Sequence, residues 1–146
     1  MAIQLFTIGF TKKNAEKFFT ALRNAGVRRI LDIRLNNASQ LAGFTKRDDL
    51  KFFLREICNA DYHHIPECAP SKDIFDEYKK NGGAWETYVQ RFLPLIRTRR
   101  IETLLTPELL DRGCLLCSEP TPEKCHRRLV AEYLKEKIDG LAVQHL

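Results

Sequence analysis

At 146 residues the chain holds about one domain's worth of sequence and a single core. Hydrophobic residues make up 44% and charged residues 29%, and with seven Gly, six Pro and no internal repeat the chain is neither fibrous nor low in complexity. No apolar run approaches the roughly 20 residues that a membrane-spanning helix needs.

Met1-Ala2-Ile3-Gln4-Leu5 has neither a basic leader nor a long apolar stretch, so it reads as the start of a strand and not as a secretory signal. Twenty-four Lys and Arg against 19 Asp and Glu give a net charge of +5, with a pI near 9.0. That excess favours anionic partners, a phosphate-bearing small molecule or nucleic acid, while the lack of a spanning apolar run leaves no membrane partner expected. Five irregularly spaced Cys make a poor disulfide framework and point to a reducing, cytoplasmic setting.

Along the chain, strand and helix patterns alternate. Ile3 to Ile8 is a β-prone run closed by Gly9, which is read as a turn residue. Ala15, Phe18, Phe19 and Leu22 recur at helical spacing until Gly26 stops the helix. Val27 to Ile33 is the second strand, and a loop follows from Asn36 to Gly43. Thr45 is expected to cap a helix whose apolar stripe is Leu50, Phe53, Leu54, Ile57 and Cys58.

Tyr62 to Ile65 is a short third strand ended by Pro66. Residues 67–112 are helical in pattern: one helix capped by Ser71 and stopped at Gly82-Gly83, a second from Trp85 to about Arg97 bent by Pro94, and a third around Ile101 to Leu110 broken by Pro107. Gly113 to Cys117 is the fourth strand. Thr121-Pro122-Glu123 carries a capping hydroxyl and a Pro suited to a first helical position, so a helix is expected from there to Lys137 or Ile138. Leu141 to His145 is the last strand.

This order predicts a single three-layer α/β domain over residues 1–146, a mostly parallel sheet of about five strands with helices on both faces. Ligands of such sheets bind beyond the carboxyl ends of the strands. Three endings then matter: Thr7-Ile8-Gly9, Asp32-Ile33-Arg34, and Cys117-Ser118-Glu119 followed by Cys125-His126-Arg127-Arg128. A helix start beside Arg127 would welcome an anion and lower the pKa of a nearby thiol. Cys117 is the better placed thiol, His126 can share its proton, and Glu119 can act as an acid or base or orient His126.

Competing structural readings attach to the same residues. Cys125 shares a helical face with Leu129 and Tyr133, which suits a small buried hydrophobe. Asp32 and Arg34 lie on one face of their strand and can simply pair. Cys114 and Cys117, three apart in a strand, point to opposite faces and cannot readily meet. Cys117, Cys125, His126 and His63 or His64 could surround a metal, but the paired spacings of structural zinc are absent, so no metal site is assigned. Trp85, Tyr88 and Phe92 read as core and not as a base-stacking platform. Neither a Walker nor a Rossmann fingerprint occurs.

Thr7-Ile8-Gly9, Asp32-Ile33-Arg34 with Ser39, His64-Ile65-Pro66-Glu67, and above all Cys117-Ser118-Glu119 with Cys125-His126-Arg127 resemble the family called domain of unknown function 488, over nearly the whole chain. The resemblance implies a small α/β protein and a site at these residues, with some relatives loosely connected to DNA repair, and it supplies no reaction. Many relatives carry His and then Ser or Thr after Thr-Ile-Gly, where this chain has Phe10 and Thr11. In relatives an aliphatic residue often stands in place of Cys114, in keeping with a core role.

Three functions are therefore set against each other. The first is an anion-handling enzyme acting on a phosphate, nucleotide or nucleic acid. The second is a thiol-dependent enzyme with Cys117 as nucleophile. The third is a noncatalytic module that binds a ligand or docks on a partner. The catalytic candidates are Cys117, Glu119, His126 and Asp32. Those for ligand binding are Thr7, Gly9, Arg34, Ser39, Cys125 and Arg127. The cofactor, if any, is left open.

Overall fold

The structure, a computed structural model, describes residues 2–38 and 43–146. Five strands form one sheet: β1 (Ile3–Gly9), β2 (Arg29–Asp32), β3 (Asp61–His64), β4 (Gly113–Cys117) and β5 (Leu141–His145). Their spatial order is β3-β2-β4-β1-β5 and every pairing is parallel. The late strand β4 slots between β2 and β1, so all five of its residues are buried. A strand covered on both faces must be apolar throughout, and Gly113-Cys114-Leu115-Leu116-Cys117 is.

Alternation along the strands sorts their side chains onto two cores. Leu5, Leu31 and Leu115 face α4 (Trp85–Arg99) and α7 (His126–Lys137), packing with Phe92, Ile96, Val130 and Leu134. Phe6, Ile8, Ile30, Cys114 and Leu116 face the other way, against Phe18, Phe19 and Leu22 of α1 (Ala15–Ala25) and Leu50 of α2 (Arg47–Phe53). Helices therefore cover both faces, as a parallel sheet requires. Cys114 lies in the second core, its thiol pushed well above the ordinary range by burial.

Three shorter helices, α3 (Lys72–Lys79), α5 (Ile101–Leu104) and α6 (Pro107–Leu110), complete the fold. Thr106 caps α6 at the break before Pro107, its hydroxyl accepting from Leu109 N at 3.4 Å. α4 runs through the exposed Pro94 to Arg99 without interruption. No helix among the described residues is long and apolar enough to cross a membrane.

Helix starts are where the structure departs from expectation. Thr45 is buried within a short turn, Gly43–Thr45, and the backbone cap of α2 is Lys46. Past Phe53 the helix widens into a π turn, Leu54–Cys58, ended by Asn59 in the left-handed region. Ser71 stands at the cap position of α3, but its hydroxyl donates to the Asp73 carboxylate instead of accepting from the backbone. At 121–123 no helix forms. The Thr121 hydroxyl is engaged by the Glu123 carboxylate, and α7 begins only at His126 with Cys125 as its cap. A side chain satisfied locally cannot cap, and the helix starts where the next acceptor stands.

Phe18 is fully buried and packs edge-on to Phe19 with centroids 5.0 Å apart. Phe18→Ala is expected to lower unfolding free energy by about 3–5 kcal/mol, read from urea denaturation as a shifted midpoint at unchanged slope.

Candidate functional site

In register Gly9 lies opposite Cys117, and Asp32 opposite Leu116. The three strand endings singled out by sequence therefore stand side by side at one edge of the sheet. The amino end of α7 sits over them, with Cys125 as cap and His126, Arg127 and Arg128 as its first three residues. Position 127 shares a helical face with Val130, Ala131 and Leu134, all buried, so the helix turns its arginine inward.

Arg127 is the largest fully buried side chain, with no exposed area. Its Nε donates to the Thr7 hydroxyl at 3.2 Å, and its Nη1 to the Glu119 carbonyl at 2.7 Å and to Cys117 Sγ at 3.2 Å. Among the described residues Nη2 has no partner, and no carboxylate forms an ion pair with the group. Loss of solvation therefore lowers its pKa, only partly offset by Glu119 and Glu123 nearby. An arginine still keeps its charge in a folded protein. The site thus encloses a cation whose nearest candidate anion is a sulfur.

Two sulfurs are present. Cys117 and Cys125, eight residues apart, bring their Sγ atoms into contact from a Cα separation of 7.7 Å. The structure pairs them as a disulfide, although that separation exceeds the range of roughly 4.4–6.8 Å that disulfides span; in the reduced state they are two facing thiols. Cys125 Sγ also accepts from Arg127 N at 3.5 Å, capping α7, and lies 3.9 Å from Arg127 Nη1. Cys125 thus keeps the buried, core-side position of a small hydrophobe while its sulfur takes part in the site. A narrow slot of about 30 Å³ opens over the pair, lined by Phe75, Tyr78, Trp85 and Tyr88. Trp85, Tyr88 and Phe92 do stack along α4, and the slot touches the first two from the side.

Gly9 has a role that its turn-like setting hid. It is the last residue of β1, and a Cβ placed there would stand 1.5 Å from the Glu119 carbonyl oxygen and 2.6 Å from Arg127 Nη1. Close approach of another backbone, and no turn, requires the glycine.

Asp32 and Arg34 form a separate buried pair. Asp32 accepts from Arg34 N at 3.1 Å, Nε at 2.9 Å and Nη2 at 2.8 Å, and from the Tyr62 hydroxyl at 2.5 Å. Asn37 Nδ2 donates to the same hydroxyl, and burial together with Asp32 drives the Tyr62 pKa far up. Arg34 lies over the Phe10 ring, with its own carbonyl accepting from His64 Nε2 at 3.1 Å. Among the described residues Arg34 Nη1 has no partner.

The remaining acid and base candidates are engaged. The Glu119 carboxylate pairs with Lys79. His126 Nε2 donates to the Ile33 carbonyl at 2.7 Å, tying α7 to the end of β2. His126 is half-buried, and loss of solvation, aided by Arg127, pushes its pKa down to about 4. No group of three or more His, Cys, Asp or Glu among the described residues is placed to hold a metal. Ser39 lies outside the described residues.

Tyr62, Asn37 and His145 belong to the site and were not singled out. Only strand alternation could have signalled Tyr62, which register places opposite Ile30 beside Asp32. The Thr7 hydroxyl that accepts from Arg127 sits 2.6 Å from His145 Nδ1, a contact made possible because β5 pairs with β1. Burial and Arg127 lower the His145 pKa.

Fold and site together define an α/β domain with an all-parallel sheet and a buried guanidinium beside two cysteine sulfurs at the carboxyl ends of its middle strands. Residues 14–134 match the model of the family described as domain of unknown function DUF488, and the chain belongs to that family. None of the curated proteins and none of the solved structures compared matches it.

Two outcomes follow from this geometry. Gly9→Ala is expected to cost about 1–3 kcal/mol or more in urea denaturation, because the obstructing atom is backbone. The neutral His126 ring should tie stability to pH. The unfolded chain takes up its proton near pH 6.5 and the folded chain only near 4. The contribution of this histidine is then complete above about 6.5 and is lost as pH falls towards 4, an effect of about 1–3 kcal/mol. In urea titrations across that window, the stability gap between wild type and His126→Gln should narrow as the solution is acidified.

Proposed function

We propose that this protein is a thiol-dependent enzyme with Cys117 as its nucleophile. One observation carries the reading: the Arg127 guanidinium is buried, lacks a carboxylate partner, and has Nη1 3.2 Å from Cys117 Sγ. A buried charge without a counter-ion is costly, and a thiolate here would supply one. In the reduced pair one negative charge suffices for one arginine, so a thiolate on one of the two sulfurs would balance it. Cys125, at the cap of α7, adds the pull of the helix start on the same charge.

Cys117 is 1% exposed and lines the slot. In the reaction its sulfur attacks an electrophilic atom of a substrate held there, forming a covalent adduct while the leaving group departs with the bonding electron pair. Arg127 holds the thiolate before attack, and Thr7 and the Glu119 carbonyl hold Arg127. The reading in which Asp32, Glu119 and His126 move protons around a bound phosphate has less support, since Asp32 has four donors, Glu119 has Lys79, and His126 is a weak base.

Iodoacetamide labelling of the protein, fully reduced and freed of reductant, at a series of pH values, followed by peptide mass spectrometry, tests this. Cys117 should label with a midpoint clearly below the roughly 8.5 of an unperturbed thiol. In Arg127→Met the midpoint should rise by a unit or more, and Arg127→Lys, which keeps the charge, should fall between. A Cys117 that titrates near 8.5 in the wild type, or never labels, overturns the reading in favour of a noncatalytic binding module.

A further inference from the structure

Beside the thiol slot lies a second, roomier cleft of about 150 Å³, lined by Arg34, Ser118 and His126 among others. The slot and the cleft share Phe75, Ser118 and His126, so the two adjoin. Resting on the thiol reading for its link to catalysis, we infer that the substrate carries an oxyanion, docked in this cleft on the unpartnered Nη1 of Arg34.

The guanidinium is planar, with its donors in a rigid fork. Nε and Nη2 are both spent on Asp32, which orients the plane, and Nη1 projects from the other side. Asp32 is saturated by these donors, the Arg34 backbone and the Tyr62 hydroxyl, so the pair is held in place and has no further use for Nη1. Phe10 covers the guanidinium from one face. Arg34 is 4% exposed. A buried donor left unmatched costs about 1–3 kcal/mol, so its retention needs an occupant.

The adjoining space far exceeds the roughly 10–15 Å³ that a single water requires. Ser118 brings a hydroxyl to the same wall. The chemistry that matches a forked cationic donor beside a hydroxyl is a carboxylate, phosphate or sulfate oxygen. Lys124 beside the neighbouring slot, and the net charge of +5, favour the approach of such a group.

Alkylation of Cys117 by two reagents that differ only in charge provides the test. Iodoacetate presents a carboxylate and iodoacetamide does not, so the ratio of their rates, divided by the same ratio for free cysteine, reports the subsite. The expected value is about tenfold above free cysteine. Millimolar inorganic phosphate should lower it, which shows that a tetrahedral oxyanion competes for the same place.

Arg127 attracts anions as well, so the assignment to Arg34 comes from Asp32→Asn combined with Arg34→Gln, which leaves no unpaired charge behind. This double variant should bring the ratio down towards that of free cysteine, with circular dichroism reporting the fold. Arg34→Lys, which keeps the charge without the fork, should give an intermediate ratio. A wild-type ratio equal to that of free cysteine, in a protein whose Cys117 does react with iodoacetamide, overturns the oxyanion subsite and leaves the thiol reading intact. A ratio that stays high in the double variant assigns the preference to Arg127 and overturns the role of Arg34. If neither reagent modifies Cys117, both conclusions fall.

Discussion

The interior of this protein is organised around one cation without a carboxylate. Arg127 draws together β1 through Thr7, β4 through Cys117, the segment after it through the Glu119 carbonyl, and its own helix through Cys125. Each acceptor is uncharged or a thiol. A structural arginine in this position would be expected to bring its own aspartate or glutamate, because half a buried pair is strongly destabilising. The pairing of Asp32 with Arg34 shows that the same fold does so a short distance away. The contrast between the two arginines is the physical basis for assigning one to hold a thiolate and the other to meet a ligand.

Backbone geometry serves that arrangement. The close passage of the Glu119 carbonyl over Gly9 admits no side chain, and this brings the chain after β4 near enough for the guanidinium to reach it. His126 fixes the other side by donating to Ile33. Because its ring is neutral over the ordinary pH range, this tie adds no second charge to an enclosure that already holds one.

Much of the fold was legible in the sequence because apolar periodicity changes cleanly from two to about 3.6 along the chain. The five strands, the break at Pro107 and the opposite facing of Cys114 and Cys117 all follow from that pattern. Helix starts were less legible. Thr45, Ser71 and Thr121 have the right hydroxyl, but capping depends on whether another group claims it, and for Ser71 and Thr121 a nearby carboxylate does. At the site, convergence of Gly9, Asp32 and Cys117 could be anticipated from the rule for strand ends. Which carboxylate takes which cation could not, since it depends on register and reach. The Asp32–Tyr62 bond needs β3 beside β2, and the Thr7–His145 contact needs β5 beside β1.

The strand order also sets a timetable. β4 is inserted late between strands made much earlier, and the arginine that faces its terminal cysteine follows ten residues behind it. On a ribosome, Cys117 emerges while its cationic neighbour is still in the exit tunnel, and it meets the β1 segment only when the middle of the sheet closes. Under the thiol reading, the nascent chain therefore carries an ordinary cysteine. The cationic neighbour that would hold its thiolate joins it only when α7 docks on the sheet.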